Sequence, residues 1–143
     1  MQKIFIDTSA FAALADSRDD NHHNAVQFNQ STKGISLFTS NYVLDELYTL
    51  LRLNVGYPRT VHFKTKLDQL TESGILTIIW ITKDLATQTW QVFEKFNTDK
   101  HWSLTDCSSH VVMKTQNITD VFAFDHHFSQ MGFVLKGGST SSK

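Results

Sequence analysis

The stretch KIFIDTSAFAAL, residues 3–14, predicts a short strand that leads directly into a helix. Residues 4–6 form an apolar run of the kind found in buried strands, and residues 10–14 begin an apolar helix. Thr8 or Ser9 is the expected cap of that helix, because a hydroxyl oxygen there can accept a hydrogen bond from a free N–H of the first turn. Asp7 stands between the two elements, where burying a charge would be costly. The position of this carboxylate is the first functional question that the sequence raises.

Strand and helix signals alternate along the rest of the chain. Further strands are predicted at residues 35–40, 75–81, 121–124 and 133–135, and helices at residues 22–34, 41–55, 60–70, 83–96 and 104–113. The run ILTIIWI at residues 75–81 is the most continuous, as expected for a central strand covered on both faces. Strands separated by helices, without hairpin turns, predict an α/β fold. We expect a three-layer α/β/α architecture with a central, mainly parallel sheet.

Length and composition indicate one domain. The chain has 143 residues, enough to bury roughly 68–70% of its unfolded surface. We expect the domain to span residues 1–136, followed by a flexible tail, GGSTSSK at residues 137–143, of natural or cloning origin. The net charge of −1 excludes a global basic footprint for nucleic acid. The single cysteine, the absence of a ~20-residue apolar run and the lack of a signal-peptide pattern predict a cytoplasmic protein without a membrane span.

Four acidic residues occupy positions that a parallel sheet gathers at one edge. Asp7 and Asp125 follow strands, Glu46 lies five residues past the expected helix cap Asn41, and Asp106 begins a helix. Singly, each has a structural explanation as a cap or as compensation of a helix dipole. Together they would repel one another, because unit charges about 4 Å apart interact by roughly 4 kcal/mol at an effective dielectric of 20. Such a cluster requires protonation, separation or a divalent cation such as Mg²⁺ or Mn²⁺.

The segments around these acids resemble the four motifs of the PIN domain, in particular its bacterial VapC-like toxin branch. They are IFIDTSAF, TSNYVLDELYTLL, SLTDCSSHVVMK and VFAFDHHF, and the resemblance runs from Lys3 to about Leu135. It implies that the catalytic residues Asp7, Glu46, Asp106 and Asp125 bind Mg²⁺ or Mn²⁺. It also implies supporting hydroxyl groups beside the first acid, from Thr8 or Ser9, and beside the third, from Thr105 or Ser103.

The resemblance further implies a function and partners. The expected activity is metal-dependent hydrolysis of phosphodiester bonds in single-stranded or looped RNA by a toxin of a toxin–antitoxin pair. By the metal–water route, the products would carry a 5′-phosphate and a 3′-hydroxyl. A small antitoxin and a second copy of the chain are the expected protein partners, with residues 50–51, 55 and 61–63 as candidates for an apolar groove. The alternative is a non-catalytic module of the same fold that binds RNA or a partner.

Other residues with reactive or charged side chains have weaker assignments. Candidate RNA contacts are Arg52, Arg59, Lys64, Lys66 and His126, although the basic stretch is also consistent with a solvated helical face. Cys107 is expected to be a buried, inert helix residue. The adjacent histidine pairs at residues 22–23 and 126–127 lack the spacing of a helical zinc site. Asp99 and Asp120 are expected near the acidic site.

Overall fold

The computed structural model describes residues 2–138 and confirms an α/β fold. The described residues form five strands and seven helices. The strands are β1 (Lys3–Ile6), β2 (Ser36–Ser40), β3 (Leu76–Ile79), β4 (Asp120–Phe122) and β5 (Val134–Lys136). The helices are α1 (Thr8–Ala15), α2 (His22–Gln30), α3 (Asn41–Asn54), α4 (Tyr57–Glu72), α5 (Lys83–Phe96), α6 (Leu104–Thr115) and α7 (His127–Gln130).

The strands form one parallel sheet in the order β3-β2-β1-β4-β5. The central strand β1 pairs with β2 on one side and with β4 on the other. Its residues Ile4 and Phe5 are fully buried, as are Val121 and Phe122 of β4. Because all strands are parallel, their carboxyl ends lie at one edge of the sheet, which we call the carboxyl edge. Asp7 directly follows β1, and Asp125 follows β4, so neighbouring strands deliver both acids to this edge.

The prediction of a central strand at residues 75–81 is wrong. β3 comprises Leu76–Ile79 and lies at the end of the sheet, where it pairs with β2 alone among the described strands. Leu76 is buried, but the flanking residues Ile75 and Trp80 are 47% and 67% exposed. Apolar composition alone does not reveal strand order, which depends on contacts between distant segments.

Two helices begin earlier than expected: the cap of α1 is Asp7 and not Thr8 or Ser9, and the cap of α3 is Ser40 and not Asn41. Asp7 caps α1 by accepting a hydrogen bond from the N–H of Ser9 at 3.1 Å. Ser40 caps α3, because its hydroxyl oxygen accepts a bond from the N–H of Val43 at 3.2 Å. The side chain of Asn41 instead accepts a hydrogen bond of 2.7 Å from the N–H of Ile81, which ties the segment after β3 to the start of α3.

The ordered chain continues beyond β5 into the predicted tail. Gly137 is buried and has a φ of +94°. A Cβ atom at this position would come within 2.6 Å of the Phe122 ring, so both backbone angle and space favour glycine. Residues 139–143 of the predicted tail lie outside the described residues. No helix within residues 2–138 has the length and apolar character that crossing a bilayer requires.

Candidate metal centre and active site

One cavity of about 420 Å³ at the carboxyl edge collects the four predicted acids. Asp7 and Asp125 follow strands β1 and β4, whereas Glu46 and Asp106 are carried by helices α3 and α6. The remaining lining residues are Thr8, Ser9, Leu50, Ser103 and His127. The fold therefore brings together carboxylates that are separated by up to 118 positions along the chain.

Asp7 is the most deeply placed of the four acids, with 3% of its surface exposed. Its Oδ2 atom accepts hydrogen bonds from the hydroxyl group of Ser9 at 2.7 Å and from the N–H of Ser9 at 3.1 Å. Burial raises the pKa of Asp7 to about 7; the bonds from Ser9 act against this rise, and the charges of Asp106 and Asp125 add to it. The carboxylate is therefore costly to ionise unless a positive charge enters the cavity.

Asp106 both caps a helix and faces the cavity. Its N–H donates to the Ser103 hydroxyl oxygen at 2.9 Å, and its Oδ2 atom accepts a bond from the N–H of Ser103 at 3.2 Å. This reciprocal pair is a capping box at the start of α6. Burial raises the pKa of Asp106, the hydrogen bond with His127 lowers it, and the charge of Asp125 raises it. Asp106 therefore stabilises the start of α6 and also presents its carboxylate to the cavity.

His127 lines the cavity together with the acids, although it is not one of the predicted metal ligands. Its Nδ1 atom lies 2.7 Å from Oδ2 of Asp106 and 3.2 Å from Oδ1 of Asp125. Candidate ligand atoms of these three residues all lie within 4.8 Å of one another. The adjacent His126, a predicted RNA contact, is exposed and does not line the cavity. The sequence DHHF at residues 125–128 places two histidines beside Asp125 but does not indicate which imidazole ring faces the cavity.

The predicted supporting hydroxyl groups divide into residues that line the cavity and one that does not. Ser9 bonds Asp7, and Thr8 lines the cavity with a buried Oγ1 atom that has no hydrogen-bond partner within the described residues. Beside the third acid, Ser103 lines the cavity and Thr105 does not. The prediction of Thr105 as a supporting group therefore lacks a contact with this cavity, and Ser103 takes that place.

The donor set of the cavity fits a hard divalent cation. Four carboxylate side chains line it, and no lysine or arginine does so among the residues that the structure describes. The unpartnered hydroxyl of Thr8 adds a further oxygen atom. Mg²⁺ and Mn²⁺ prefer oxygen ligands of this kind, and a cation would offset the mutual repulsion of the acids.

Comparison with known proteins supports the same interpretation. The PIN domain family model matches residues 4–134. The chain belongs to the PIN domain family. It is 33% identical over 131 residues to the "23S rRNA-specific endonuclease VapC20" of Mycobacterium tuberculosis, covering 92% of this chain and 95% of that protein. It is 30% identical over 127 residues to the "VapC ribonuclease" of Archaeoglobus fulgidus, covering 87% and 78%.

Solved structures agree with this PIN-like fold. The crystal structure of M. tuberculosis VapC20, described as a "Sarcin-Ricin loop cleaving toxin", superposes with a TM-score of 0.82 at 32% identity over 92% of this chain and 96% of that one. VapBC2 of Rickettsia felis, solved with a promoter DNA fragment, gives a TM-score of 0.65 at 14% identity over 94% and 98%. At 14% identity, the similarity to VapBC2 supports the fold alone.

The predicted basic RNA contacts lie outside the acidic cavity of this PIN domain. Arg52, Arg59, Lys64 and Lys66 are absent from its lining. Lys64 pairs with Asp68 at 2.8 Å, and Lys66 lines a separate cavity of about 230 Å³. These residues can contact only parts of a substrate that extend beyond the cavity.

Asp99 and Asp120 are not part of the acidic site, contrary to expectation. Asp120 is the first residue of β4 and therefore lies at the opposite end of that strand from Asp125. Asp99 pairs with Lys100 at 3.1 Å on the surface. Neither residue lines the acidic cavity.

Cys107 follows Asp106 but is not suited to act as a nucleophile. The residue is fully buried, which confirms the prediction of a buried helix cysteine. Burial raises the pKa of its thiol to about 11, and the charge of Asp106 adds to this rise. Since the thiolate is the reactive form, Cys107 stays unreactive at neutral pH.

Proposed function

We propose that this PIN domain is a divalent-metal-dependent endoribonuclease and the toxin of a toxin–antitoxin pair. The observation that carries the proposal is the convergence of Asp7, Glu46, Asp106 and Asp125 on one cavity without a neutralising lysine or arginine in its described lining. The names of the relatives that match nearly the whole chain, a 23S rRNA-specific endonuclease and a VapC ribonuclease, support RNA as the substrate.

In this proposal the four acids are catalytic because they would together hold Mg²⁺ or Mn²⁺ in the cavity. A bound divalent cation supplies positive charge for the phosphate and lowers the pKa of an attacking water. Ser9 positions Asp7 through its hydroxyl group, and Ser103 positions Asp106 through the capping box. The Thr8 hydroxyl is available to a water or ligand in the cavity.

We propose that water, and not a side chain, attacks the phosphorus atom. Cys107 is buried and unreactive, and the hydroxyl of Ser9 already bonds the carboxylate of Asp7 and the N–H of Phe124. Glu46 is the exposed acid at the mouth of the cavity, so we assign it the contact with incoming water and substrate. Attack on phosphorus with departure of the 3′ oxygen yields a 5′-phosphate and a 3′-hydroxyl.

We propose single-stranded or looped RNA as the substrate, because the relative of known structure is described as a "Sarcin-Ricin loop cleaving toxin". We propose that phosphates on either side of the scissile bond contact His126 and the basic residues of α3 and α4: Arg52, Arg59, Lys64 and Lys66. Phosphate contacts of this kind position the substrate without reading its sequence.

We further propose a small antitoxin and a second copy of this chain as partners, in the cytoplasm. Exposed apolar side chains on α3 and α4 support a protein-binding surface: Leu53, Tyr57 and Val61 are 78%, 65% and 46% exposed. Four residues of the groove expected from the sequence do not contribute freely to it: Leu50, Leu51, Val55 and Phe63 are buried in or packed against the core. Leu51 is buried, and Phe63 packs against the core with its ring 6.3 Å from that of Phe11.

Incubation of the purified protein with end-labelled RNA tests the proposed activity. The substrates are a sarcin–ricin-type hairpin and an unstructured RNA of equal length, each with Mg²⁺, Mn²⁺ or EDTA. Cleavage that EDTA abolishes and that Asp7→Asn, purified in parallel, lacks would support the enzyme. Binding without cleavage in either metal would instead identify the non-catalytic RNA-binding module.

A further inference from the structure

His127 presents a nitrogen atom to the same space as the metal-binding acids. Its Nδ1 atom is 2.7 Å from Asp106 Oδ2 and 3.2 Å from Asp125 Oδ1. In an octahedral site with ligands at about 2.1 Å, adjacent ligand atoms are about 3.0 Å apart. The two observed distances bracket that value. Nδ1 is therefore spaced from each of these two oxygen atoms as a neighbouring ligand of one cation would be, and candidate ligand atoms of the three residues all lie within 4.8 Å of one another.

Local contacts hold the backbone that carries this imidazole ring. The N–H of His127 donates to Oδ1 of Asp125 at 2.9 Å, which closes the turn at the start of α7. The next residue, Phe128, is fully buried and anchors the helix in the core. The ring cannot leave the cavity through a change of backbone without breaking this turn or unpacking Phe128. Such a preorganised side chain is typical of a ligand.

We propose that His127 is a nitrogen ligand of the divalent cation and that it makes the site prefer Mn²⁺ over Mg²⁺. The inference rests on the metal site of the proposed function and adds a residue outside the four acids. Mg²⁺ takes oxygen ligands almost exclusively, whereas affinity for mixed nitrogen and oxygen sites rises in the transition-metal series that begins with Mn²⁺. The unpartnered Oγ1 of Thr8 is a separate sign that the cavity is built for a ligand.

A purely orienting role is the competing explanation. In that case the Nδ1–H group only donates to Asp106 and holds its carboxylate in place, as residues around a metal site often do. Loss of His127 would then weaken binding of every cation that Asp106 ligates. Loss of a nitrogen ligand would instead weaken Mn²⁺ binding selectively. The two roles therefore differ in the ratio of the two affinities and in the magnetic spectrum of bound Mn²⁺.

Pulsed electron paramagnetic resonance of the Mn²⁺-loaded wild-type protein tests the proposal directly. We expect modulation from a directly bound ¹⁴N nucleus, which changes to the ¹⁵N frequency after labelling with ¹⁵N-histidine. The signal should vanish in His127→Gln and persist in His126→Gln, a matched variant of the exposed neighbouring histidine. By calorimetry, His127→Gln should reduce Mn²⁺ affinity about tenfold or more and leave Mg²⁺ affinity within about twofold.

Each other result overturns the assignment of His127. Mn²⁺ bound without nitrogen coupling, or equal losses of affinity for both metals, would leave only the orienting role. In either case, RNA cleavage that still requires the four acids would keep the proposed function intact. Failure of the wild-type protein to bind Mn²⁺ would remove the assignment of His127, and failure to bind Mg²⁺ as well would remove the proposed function. If His127→Gln does not fold, the ¹⁵N-histidine spectrum of His126→Gln decides, because His127 is the one histidine that lines the cavity among the described residues.

Discussion

The hydroxyl group of Ser9 donates a hydrogen bond of 2.7 Å to Oδ2 of Asp7. The Oγ atom of Ser9 also accepts a bond of 3.0 Å from the N–H of Phe124, the residue before Asp125. One small side chain therefore connects the end of β1 to the segment that follows β4. Because Asp7 and Asp125 belong to these two segments, Ser9 sets the spacing between two candidate metal ligands.

Ser9→Ala should destabilise the protein and disturb the site together. The substitution removes both bonds and leaves the Phe124 N–H without its partner, so we expect a loss of about 1–3 kcal/mol in the free energy of unfolding. Urea denaturation in EDTA measures this loss. Ser73→Ala is the control, because that exposed hydroxyl bonds only the Leu70 carbonyl oxygen at a helix end. A loss in Ser9→Ala no larger than in the control would contradict the bridging role.

The stability of the metal-free protein should fall as the pH rises from about 4 to 7. Burial raises the pKa of Asp7 from its usual 3.8 to about 7. The folded protein then holds this proton over a range in which the unfolded chain has released it, so deprotonation favours unfolding. Burial lowers the pKa of His110, which acts in the opposite sense below its usual 6.5. The measured quantity is therefore the difference between wild type and Asp7→Asn in denaturant titrations from pH 4 to 8. A difference that does not change with pH would show that Asp7 ionises normally.

Mn²⁺ should raise the melting temperature of the wild-type protein. A ligand at a hundredfold excess over its Kd stabilises the folded state by about 2.7 kcal/mol, which corresponds to several degrees in a protein of this size. Differential scanning calorimetry with and without Mn²⁺ measures the shift. The double variant Asp7→Asn/Asp106→Asn should show almost none, because its two substitutions remove the most buried carboxylates. An equal shift in the double variant would place the ion elsewhere.

The fold class was predictable because strand and helix signals alternate, but the order of the strands was not. The three-residue run at residues 4–6 is too short to interpret alone, yet its strand lies at the centre of the sheet. The longer run at residues 75–81 contains β3, which lies at one end of the sheet, and Trp80 just after this strand is exposed. The hydrophobicity of a segment predicts that the strand is at least partly buried. The order of the strands depends instead on pairing between segments that are far apart in sequence.

The four acids of the candidate site were predictable because a parallel sheet gathers strand ends and the starts of the following helices at one edge, and because the segments around the acids resemble the PIN motifs. The orientation of individual side chains was not. His127 turns inward and His126 outward because the N–H of His127 closes onto Asp125, a detail of one turn. Likewise, Ser103 reaches the cavity and Thr105 does not, because the capping box directs Ser103 toward Asp106. Such choices depend on local geometry that residue spacing does not encode.

Glu46→Gln should remove most of the RNA cleavage while leaving the fold intact. The side chain is exposed at the cavity mouth, so the free energy of unfolding should change by less than about 0.5 kcal/mol in the absence of metal. Loss of one carboxylate from the metal site should lower cleavage by about a hundredfold at limiting Mn²⁺. Asp45→Asn is the matched control, because the adjacent exposed acid lines a different cavity with Tyr48 and Trp80. Both variants are compared by urea denaturation and by initial cleavage rates over a range of Mn²⁺ concentrations. Equal rates for the two variants would exclude Glu46 from the catalytic set and reduce the site to the three aspartates.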